Sequence, residues 1–283
     1  MKRSISVTSY SWEDGPQCTP AHLRELATLA DEAGLDTLWV PDHLLQVDPS
    51  ASLDEPMLEA YTTLGFLAAA TSRVQLGTLV TWATIRPPAL LVKLVTTLDV
   101  LSGGRAWLGV GIGYREDEAA MTGLPFPPTA ERYERLEELL QLADRMWAGD
   151  RSAFEGPHHH LAEPISEPRP IRRPRVLIGG TGERRTLPLV ARYADACNLF
   201  DVPDGGATIA GKLDVLTESC QRIGRDPNEI EVTLVTRVAP GETPPQLGER
   251  CEALAARGID HVIFLTTGPW HRGGDLDVVL AAA

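Results

Sequence analysis

The stretch TLDVLSGGRAWLGVGIGYREDE, residues 97–118, decides the fold. Its first part completes an apolar helix predicted over Pro88–Leu101, and Ser102-Gly103-Gly104 breaks that helix. A continuous apolar run, Ala106–Gly111, follows at once and is typical of a strand buried on both faces. A helix that passes through a glycine turn into such a strand indicates one unit of a parallel α/β fold.

The same unit recurs on both sides of this stretch. Seven further strands are predicted, at Ile5–Tyr10, Thr37–Pro41, Val74–Val80, Val176–Gly180, Ala196–Phe200, Ile230–Thr236 and His261–Thr266. Helices alternate with them at 19–34, 58–70, 131–147, 184–194, 212–224 and 245–257, and a short helix ends the chain. Eight such units favour an α/β (β/α)₈ TIM barrel over residues 1–283 as one domain, with an irregular insertion at Gly149–Pro174 before strand five. A doubly wound open sheet remains the alternative.

The amino-acid composition indicates which classes of binding partner are unfavourable for this chain. The formal net charge is −13, and no Lys/Arg-rich run is present. An acidic surface disfavours nucleic acid and anionic membranes. The first residues, MKRSISVTSY, lack the apolar run of a signal peptide, and no run reaches the ~18 apolar residues of a membrane span, which predicts a cytoplasmic protein. The four cysteines have no zinc-site spacing, so no metal is expected.

Chemistry in a barrel of this kind lies at the carboxyl ends of the strands. Asp42 and His43 follow strand two as a polar pair. Trp82 follows strand three and is a candidate wall for an aromatic ligand. Glycines alternate over 109–113 after strand four, which leaves one face of the backbone bare for a flat ring.

A glycine-rich turn follows strand five. Gly179, Gly180, Thr181 and Gly182 precede a helix, and backbone N–H groups in such a turn predict an anion site. The turn lacks the Lys-Ser/Thr pair of a nucleotide-binding P-loop. His158–His160 do not have metal-ligand spacing. Glu137 and Glu138 are expected on a solvated helix face.

Several stretches together resemble a known family. AGLDTLWVPDHL (33–44), SRVQLGTLVT (72–81), residues 97–118, ERYERLEELLQLADRMW (131–147) and residues 176–198 are similar to the luciferase-like monooxygenase superfamily, in particular to its branch that uses coenzyme F420. The resemblance implies a TIM barrel with the cofactor ring at the carboxyl ends of the strands. It also implies a non-proline cis peptide near Leu79-Val80. The implied cofactor residues are Asp42, His43, Leu79, Val80, Thr81, Gly111, Ile112, Gly113, Gly179, Gly180, Thr181 and Gly182.

One position departs from the family pattern. The sugar-phosphate dehydrogenases of this family have a glutamate as the acid just after the glycine stretch, where this chain has Tyr114. The resemblance therefore does not extend to the acid of their particular reaction. His43 and Tyr114 are the catalytic candidates, and Trp82, Tyr114, Asp117 and Glu118 are the candidates for substrate contact.

The resemblance implies hydride transfer between ring carbon C5 of F420 and a small-molecule substrate. The alternatives are an FMN-dependent monooxygenase, served by a flavin reductase, and a non-catalytic flavin-binding barrel. A homodimer is also implied. The sequence identifies neither the substrate nor the direction of transfer.

Overall fold

The structure is a computed structural model that describes residues 1–282. Its strands are β1 (Lys2–Ser6), β2 (Thr37–Val40), β3 (Gln75–Thr78), β4 (Thr81–Trp82), β5 (Trp107–Gly111), β6 (Phe154–Glu155), β7 (His160–Leu161), β8 (Arg175–Gly179), β9 (Ala196–Phe200), β10 (Glu231–Arg237) and β11 (His261–Leu265). Its helices are α1 (Thr19–Ala33), α2 (Ala60–Ala70), α3 (Pro88–Ser102), α4 (Glu116–Thr122), α5 (Thr129–Ala148), α6 (Thr186–Tyr193), α7 (Ala207–Ile223), α8 (Pro244–Ala255) and α9 (Asp275–Ala281). Within residues 1–282 the helices lack the combination of length and apolar sequence that a membrane span requires.

The parallel strands form a barrel in the order β3, β2, β1, β11, β10, β9, β8, β5, β4. β3 and β4 are two parts of one predicted strand, separated by Leu79 and Val80, whose peptide bond is cis. Leu76 of β3 bridges to Ala106, just before β5, while β4 pairs with β5 itself. The barrel therefore closes, and the predicted eight-stranded fold is confirmed with its third strand split in two.

The barrel interior is filled below the carboxyl ends of the strands. β2 and β5 are buried along their whole length, as strands covered by helices outside and side chains inside should be. Trp39 and Trp107 pack edge to face in the interior, with ring centroids 5.5 Å apart. Gly77 makes room for them, because a Cβ there would lie 2.7 Å from the Trp39 ring. Side chains therefore fill the barrel interior below the carboxyl ends of the strands, and a ligand can bind only at those carboxyl ends.

The structure differs from the sequence expectations at three places. The first strand ends at Ser6 rather than Tyr10: Val7 still donates to the Trp39 carbonyl at 2.8 Å, and the chain beyond it forms a loop in which Tyr10 is buried. Helix α4 was not predicted, since its seven residues are too few to show a clear period. The insertion contains a short antiparallel hairpin, β6–β7.

A buried polar network lies at the amino ends of the strands. Ser4 Oγ lies 2.5 Å from His261 Nε2, and His261 Nδ1 lies 2.8 Å from Glu231 Oε1. Lys2 and Arg175 donate to Glu231 Oε2 at 2.9 and 2.8 Å. The order Ser–His–Glu is that of a nucleophile triad. Because Ser4 and His261 are both 0% exposed, no substrate can reach them, and the network acts to hold the strands together.

Because of Glu231, we expect the stability of the fold to decrease at acid pH. Burial alone would raise the pKa of Glu231, but the hydrogen bonds from His261 and Lys2 and the charge of Arg175 outweigh it and hold that pKa far below the ordinary value. A lowered folded-state pKa contributes stability above about pH 4.5, and the contribution is lost as the pH falls further. Glu231→Gln is expected to lower the free energy of unfolding at pH 7 by about 2 kcal/mol.

Denaturant unfolding measured from pH 7 down to pH 3.5 checks this expectation. The gap between wild type and Glu231→Gln should shrink below pH 4.5, by about 1.4 kcal/mol per pH unit. Glu252→Gln, an exposed carboxylate on α8, is the matched control and should show no gap. A gap that stays constant with pH would mean that the Glu231 charge does not stabilise the fold.

Candidate functional site

A cavity of about 560 Å³ opens at the carboxyl ends of the barrel strands. Its size lies within the ~300–1,000 Å³ typical of small-molecule sites. The lining residues are Ser6, Thr8, Pro41, His43, Val47, Leu79, Val80, Trp82, Gly111, Ile112, Gly113, Tyr114, Gly179, Gly180, Thr181, Asn198, Phe200, Val235 and Leu265. Most of the residues named from the sequence therefore meet around one space.

One wall is a flat bed made by two glycines and a valine. A Cβ at Gly179 would lie 3.0 Å from the Val80 side chain, and one at Gly111 would lie 3.1 Å from it. Because both glycines lack a side chain, the Val80 side chain packs directly against their backbone, and the three residues together form this wall. The cis peptide predicted at Leu79-Val80 is confirmed at the edge of this bed. The bed suits a planar ring.

The bed continues into the turn after β8. Gly180 has a φ of +109°, a conformation that favours glycine. The backbone N–H groups of Thr181 and Gly182 meet no hydrogen-bond acceptor within residues 1–282. Arg184 and Arg185 follow the turn, and neither forms an ion pair with a carboxylate in the described part of the chain. The free amides of this turn, which precedes α6, make it suited to an anion, while Arg184 and Arg185 line a separate pocket with Glu134 and Glu137.

A buried histidine–carboxylate pair stands on another side of the cavity. His43 Nδ1 lies 2.5 Å from Glu118 Oε2, and the two side chains are 6% and 0% exposed. Glu118 Oε1 accepts from the backbone N–H groups of Leu44 and Leu45 at 2.6 and 3.2 Å. Because Nδ1 is engaged, Nε2 is the ring nitrogen left for a ligand.

Glu118 stays ionised in this arrangement. Burial alone would raise the pKa of Glu118, but the hydrogen bond and charge of His43 and the N–H groups of Leu44 and Leu45 outweigh it, and the pKa lies below its ordinary value. The carboxylate therefore fixes the orientation of the His43 ring. The sequence analysis named Glu118 as a candidate for substrate contact. In the structure Glu118 is buried against His43 and does not line the cavity.

Two aromatic rings frame His43. Its ring packs edge to face on Trp82, with centroids 5.4 Å apart, and on Tyr114 at 5.8 Å. Trp82 is 2% exposed, whereas Tyr114 stands at the rim and is 69% exposed. Gly113 allows this packing, since a Cβ there would lie 2.7 Å from the Trp82 ring.

Asp42 and Thr81 do not line the cavity. Arg86 donates to both carboxylate oxygens of Asp42, at 2.5 and 3.0 Å, and Thr81 Oγ1 donates to the same group at 2.7 Å. Asp42 is only 1% exposed. The physical reason is that a buried carboxylate needs a paired cation, and Arg86 supplies it. Gly182 and Asp117 also lie outside the lining, and the Asp117 carboxylate accepts from Arg115 instead.

Sequence reasoning missed the contribution of β1 and of β9–β11. Asn198, on β9, accepts from Thr233 Oγ1 at 2.8 Å through its Oδ1, so its amide nitrogen is the group free to donate into the cavity. Ser6 and Thr8 add hydroxyls from the end of β1. A polar residue within the apolar run of β9 was the available signal.

The histidines of the insertion face three different carboxylates. His158 Nε2 lies 2.8 Å from Glu134, and His159 Nδ1 lies 2.5 Å from Glu138. Within residues 1–282, no group of three or more metal-ligating side chains is found. Glu138 is 5% exposed, so its expected position on a solvated face is wrong: the β6–β7 hairpin covers it and His159 pairs with it.

Comparison with known proteins identifies the family. Residues 1–272 match the family model described as luciferase-like monooxygenase. The chain is 33% identical over 240 residues to the F420-dependent glucose-6-phosphate dehydrogenase of Kineococcus radiotolerans, and 30% identical over 224 residues to that of Microbacterium testaceum. These alignments cover 81% and 79% of this chain, and 67% and 65% of those relatives, so the chain spans about two thirds of their length.

Among solved structures, an F420-dependent secondary alcohol dehydrogenase in complex with an F420-acetone adduct has the same fold, with a TM-score of 0.81 at 18% identity, and covers 100% of this chain and 97% of that one. The family match extends over nearly the whole barrel that carries the cavity. The chain belongs to the luciferase-like monooxygenase family.

Proposed function

We propose that this chain is an oxidoreductase that uses coenzyme F420 to transfer a hydride to or from a small organic substrate. The curated relatives named above are F420-dependent dehydrogenases. The observation that carries the proposal is that Gly111, Val80 and Gly179 line the same cavity as Gly180 and Thr181, the first residues of the anion-binding turn.

The residues present fit a deazaflavin with an anionic side chain. Gly111, Gly179 and Val80 offer the planar bed, with Leu79, Ile112 and Gly113 around it. The free N–H groups of Thr181 and Gly182 suit the phosphate of the side chain. When bound there, F420 supplies a ring carbon, C5, that accepts or gives a hydride.

The chain's own contribution is to hold the substrate and to move a proton. His43 Nε2 faces the cavity and takes a proton from a substrate hydroxyl, or gives one to a substrate carbonyl oxygen. Glu118 keeps the ring in place. Tyr114, 5.8 Å from the His43 ring at the rim, is the second proton-transfer candidate. Trp82 and the glycine bed supply apolar walls around the bound substrate.

Titration with F420, FMN and FAD tests the proposal. F420 is expected to bind with a Kd of about 10 μM or less, and FMN at least about 10-fold more weakly. Trp82 lines the cavity, so its fluorescence should be quenched on binding; Trp82→Phe is the control that loses this signal. Tight binding of FMN without F420 would replace the proposal with a flavin-dependent monooxygenase served by a reductase. Cofactor binding with no turnover of any substrate would indicate a non-catalytic barrel.

The homodimer implied by the family resemblance is also part of the proposal. Light scattering coupled to size-exclusion chromatography, with and without F420, measures the mass in solution. A mass near 61 kDa, about twice the 30.7 kDa chain, is expected. A mass near that of one chain would remove the homodimer from the proposal.

A further inference from the structure

The charge of the side chains that line the cavity restricts the chemical class of the substrate. None of the lining residues is a lysine, arginine, aspartate or glutamate. His43 is the only basic side chain among them, and its Nδ1 is already engaged by Glu118. A charged group bound inside this cavity would therefore lose its water without gaining a partner of opposite charge.

The loops around the mouth add no cation that could compensate. The loops after β1, β2, β9 and β10, residues 7–18, 41–59, 201–206 and 238–243, contain neither lysine nor arginine. Four cations that lie at this end are paired with carboxylates: Arg86 with Asp42, Arg115 with Asp117, Arg237 with Asp48 and Arg272 with Glu25.

Arg132 is also already engaged. It is 8% exposed, donates to the Gly113 carbonyl at 2.6 Å and lies over the Phe126 ring at 4.0 Å. Arg184 and Arg185 follow the turn assigned to the cofactor phosphate, but they line a separate pocket with Glu134 and Glu137, and Arg185 lies over the Tyr133 ring at 5.4 Å. None of these cations lines the cavity, so none is placed to pair with an anionic group bound inside it.

The other lining residues suit a ligand that is mostly apolar and has few polar atoms. Trp82, Phe200 and Leu265 offer apolar surface, and Val47 and Val235 extend it. The polar side chains of the lining are Ser6, Thr8, His43, Tyr114, Thr181 and Asn198, of which Thr181 belongs to the turn assigned to the cofactor phosphate. These uncharged groups suit the oxygen of an alcohol or a ketone on a hydrocarbon frame, and no cation stands among them to pair with a phosphate.

We propose that the substrate of this site is an uncharged, mainly apolar alcohol or ketone, and not a sugar phosphate. This inference rests on the proposed F420-dependent function. In the oxidation direction, the carbinol C–H bond breaks and its hydride goes to C5 of F420, while the O–H proton goes to His43 Nε2, giving the ketone and reduced cofactor. In the reverse direction the ketone oxygen takes the proton and its carbon takes the hydride.

Matched ligands that differ only in charge test the inference. The probes are methyl 4-oxocyclohexanecarboxylate and its free carboxylate, with glucose 6-phosphate as the sugar phosphate. Calorimetry on the cofactor-free and F420-loaded protein measures affinity, and the absorbance of F420 measures turnover. The neutral ester is expected to bind at least about 100-fold more tightly than either anion, and to be the probe that is turned over.

A charge-gain variant gives a second readout. Phe200, at the end of β9, is 52% exposed and lines the cavity. Phe200→Arg is expected to raise affinity for the carboxylate probe by about 10-fold, because it supplies the missing cation. Phe200→Met, which keeps an uncharged side chain, should leave the preference for the neutral ester unchanged.

The outcomes separate this inference from the proposed function. Glucose 6-phosphate or the carboxylate binding within 10-fold of the ester would overturn the inference, and so would failure of the ester to bind F420-loaded protein. Failure of F420 to bind would overturn the proposed function instead. The preference measured on cofactor-free protein still decides the charge of the ligand in that case.

Discussion

Replacing Gly180 with glutamate is expected to raise the Kd for coenzyme F420 by about 1,000-fold. The new carboxylate would stand in the turn whose free N–H groups belong to Thr181 and Gly182, where the cofactor phosphate is proposed to bind. Two like charges about 4 Å apart at an effective dielectric of about 20 repel by about 4 kcal/mol. Each 1.4 kcal/mol is a factor of about ten in affinity, which gives the expected loss.

The variant should remain folded. A Cβ at Gly180 would have Thr186 Cγ2 as its nearest neighbour, at an ordinary contact distance of 3.6 Å. The remaining cost is the φ of +109°, which a residue other than glycine rarely adopts. Binding can therefore be measured on folded protein, by calorimetry or by quenching of tryptophan fluorescence.

Two controls separate charge from backbone strain. Gly224→Glu places the same side chain at a φ of +72°, at the end of α7 with open space around it. It should cost similar stability and leave F420 affinity unchanged. Gly180→Ala keeps the strain at the turn and adds no charge, so it should cost about 10-fold or less in affinity. Unchanged affinity in Gly180→Glu would refute the phosphate assignment.

The barrel could be predicted from the sequence because its signals are local. The break at Ser102-Gly103-Gly104 and the apolar run that follows it lie within a dozen residues. The glycines of the bed and the turn were identified for the same reason, since a bare strand end and a Gly-Gly-Thr-Gly turn are visible in the sequence itself.

The pairing of side chains across the site could not be predicted, because it depends on long-range contacts. Glu118 reaches His43 across 75 positions, through a helix too short to predict. Arg86 captures Asp42 across 44 positions, which removes that carboxylate from the cavity. Each of these carboxylates had several potential cationic or hydrogen-bonding partners in the sequence, and only the closed barrel selects among them.

His43→Asn is expected to lower kcat by about 100- to 10,000-fold, the range that a positioned acid or base contributes. Asparagine retains a polar group but cannot take up a proton at the position of Nε2. The affinity for F420 should change by less than about 10-fold, because the bed and the phosphate turn are separate from His43. Steady-state kinetics with the neutral alcohol or ketone, together with cofactor titration, measures both quantities.

Glu118 is expected to act through His43, and a double-mutant cycle can show this. Glu118→Gln should lower kcat by about 10- to 100-fold with little change in KM, because an amide no longer holds the ring through Nδ1 as the carboxylate does. Glu118→Asp should recover part of the loss. Glu116→Gln, an exposed carboxylate on the same helix, should have no effect. In the His43→Asn background, Glu118→Gln should cost nothing more, because the group that it positions is already gone. Additive losses in the double variant would instead mean that Glu118 supports the loop around Leu44 and Leu45 independently of His43.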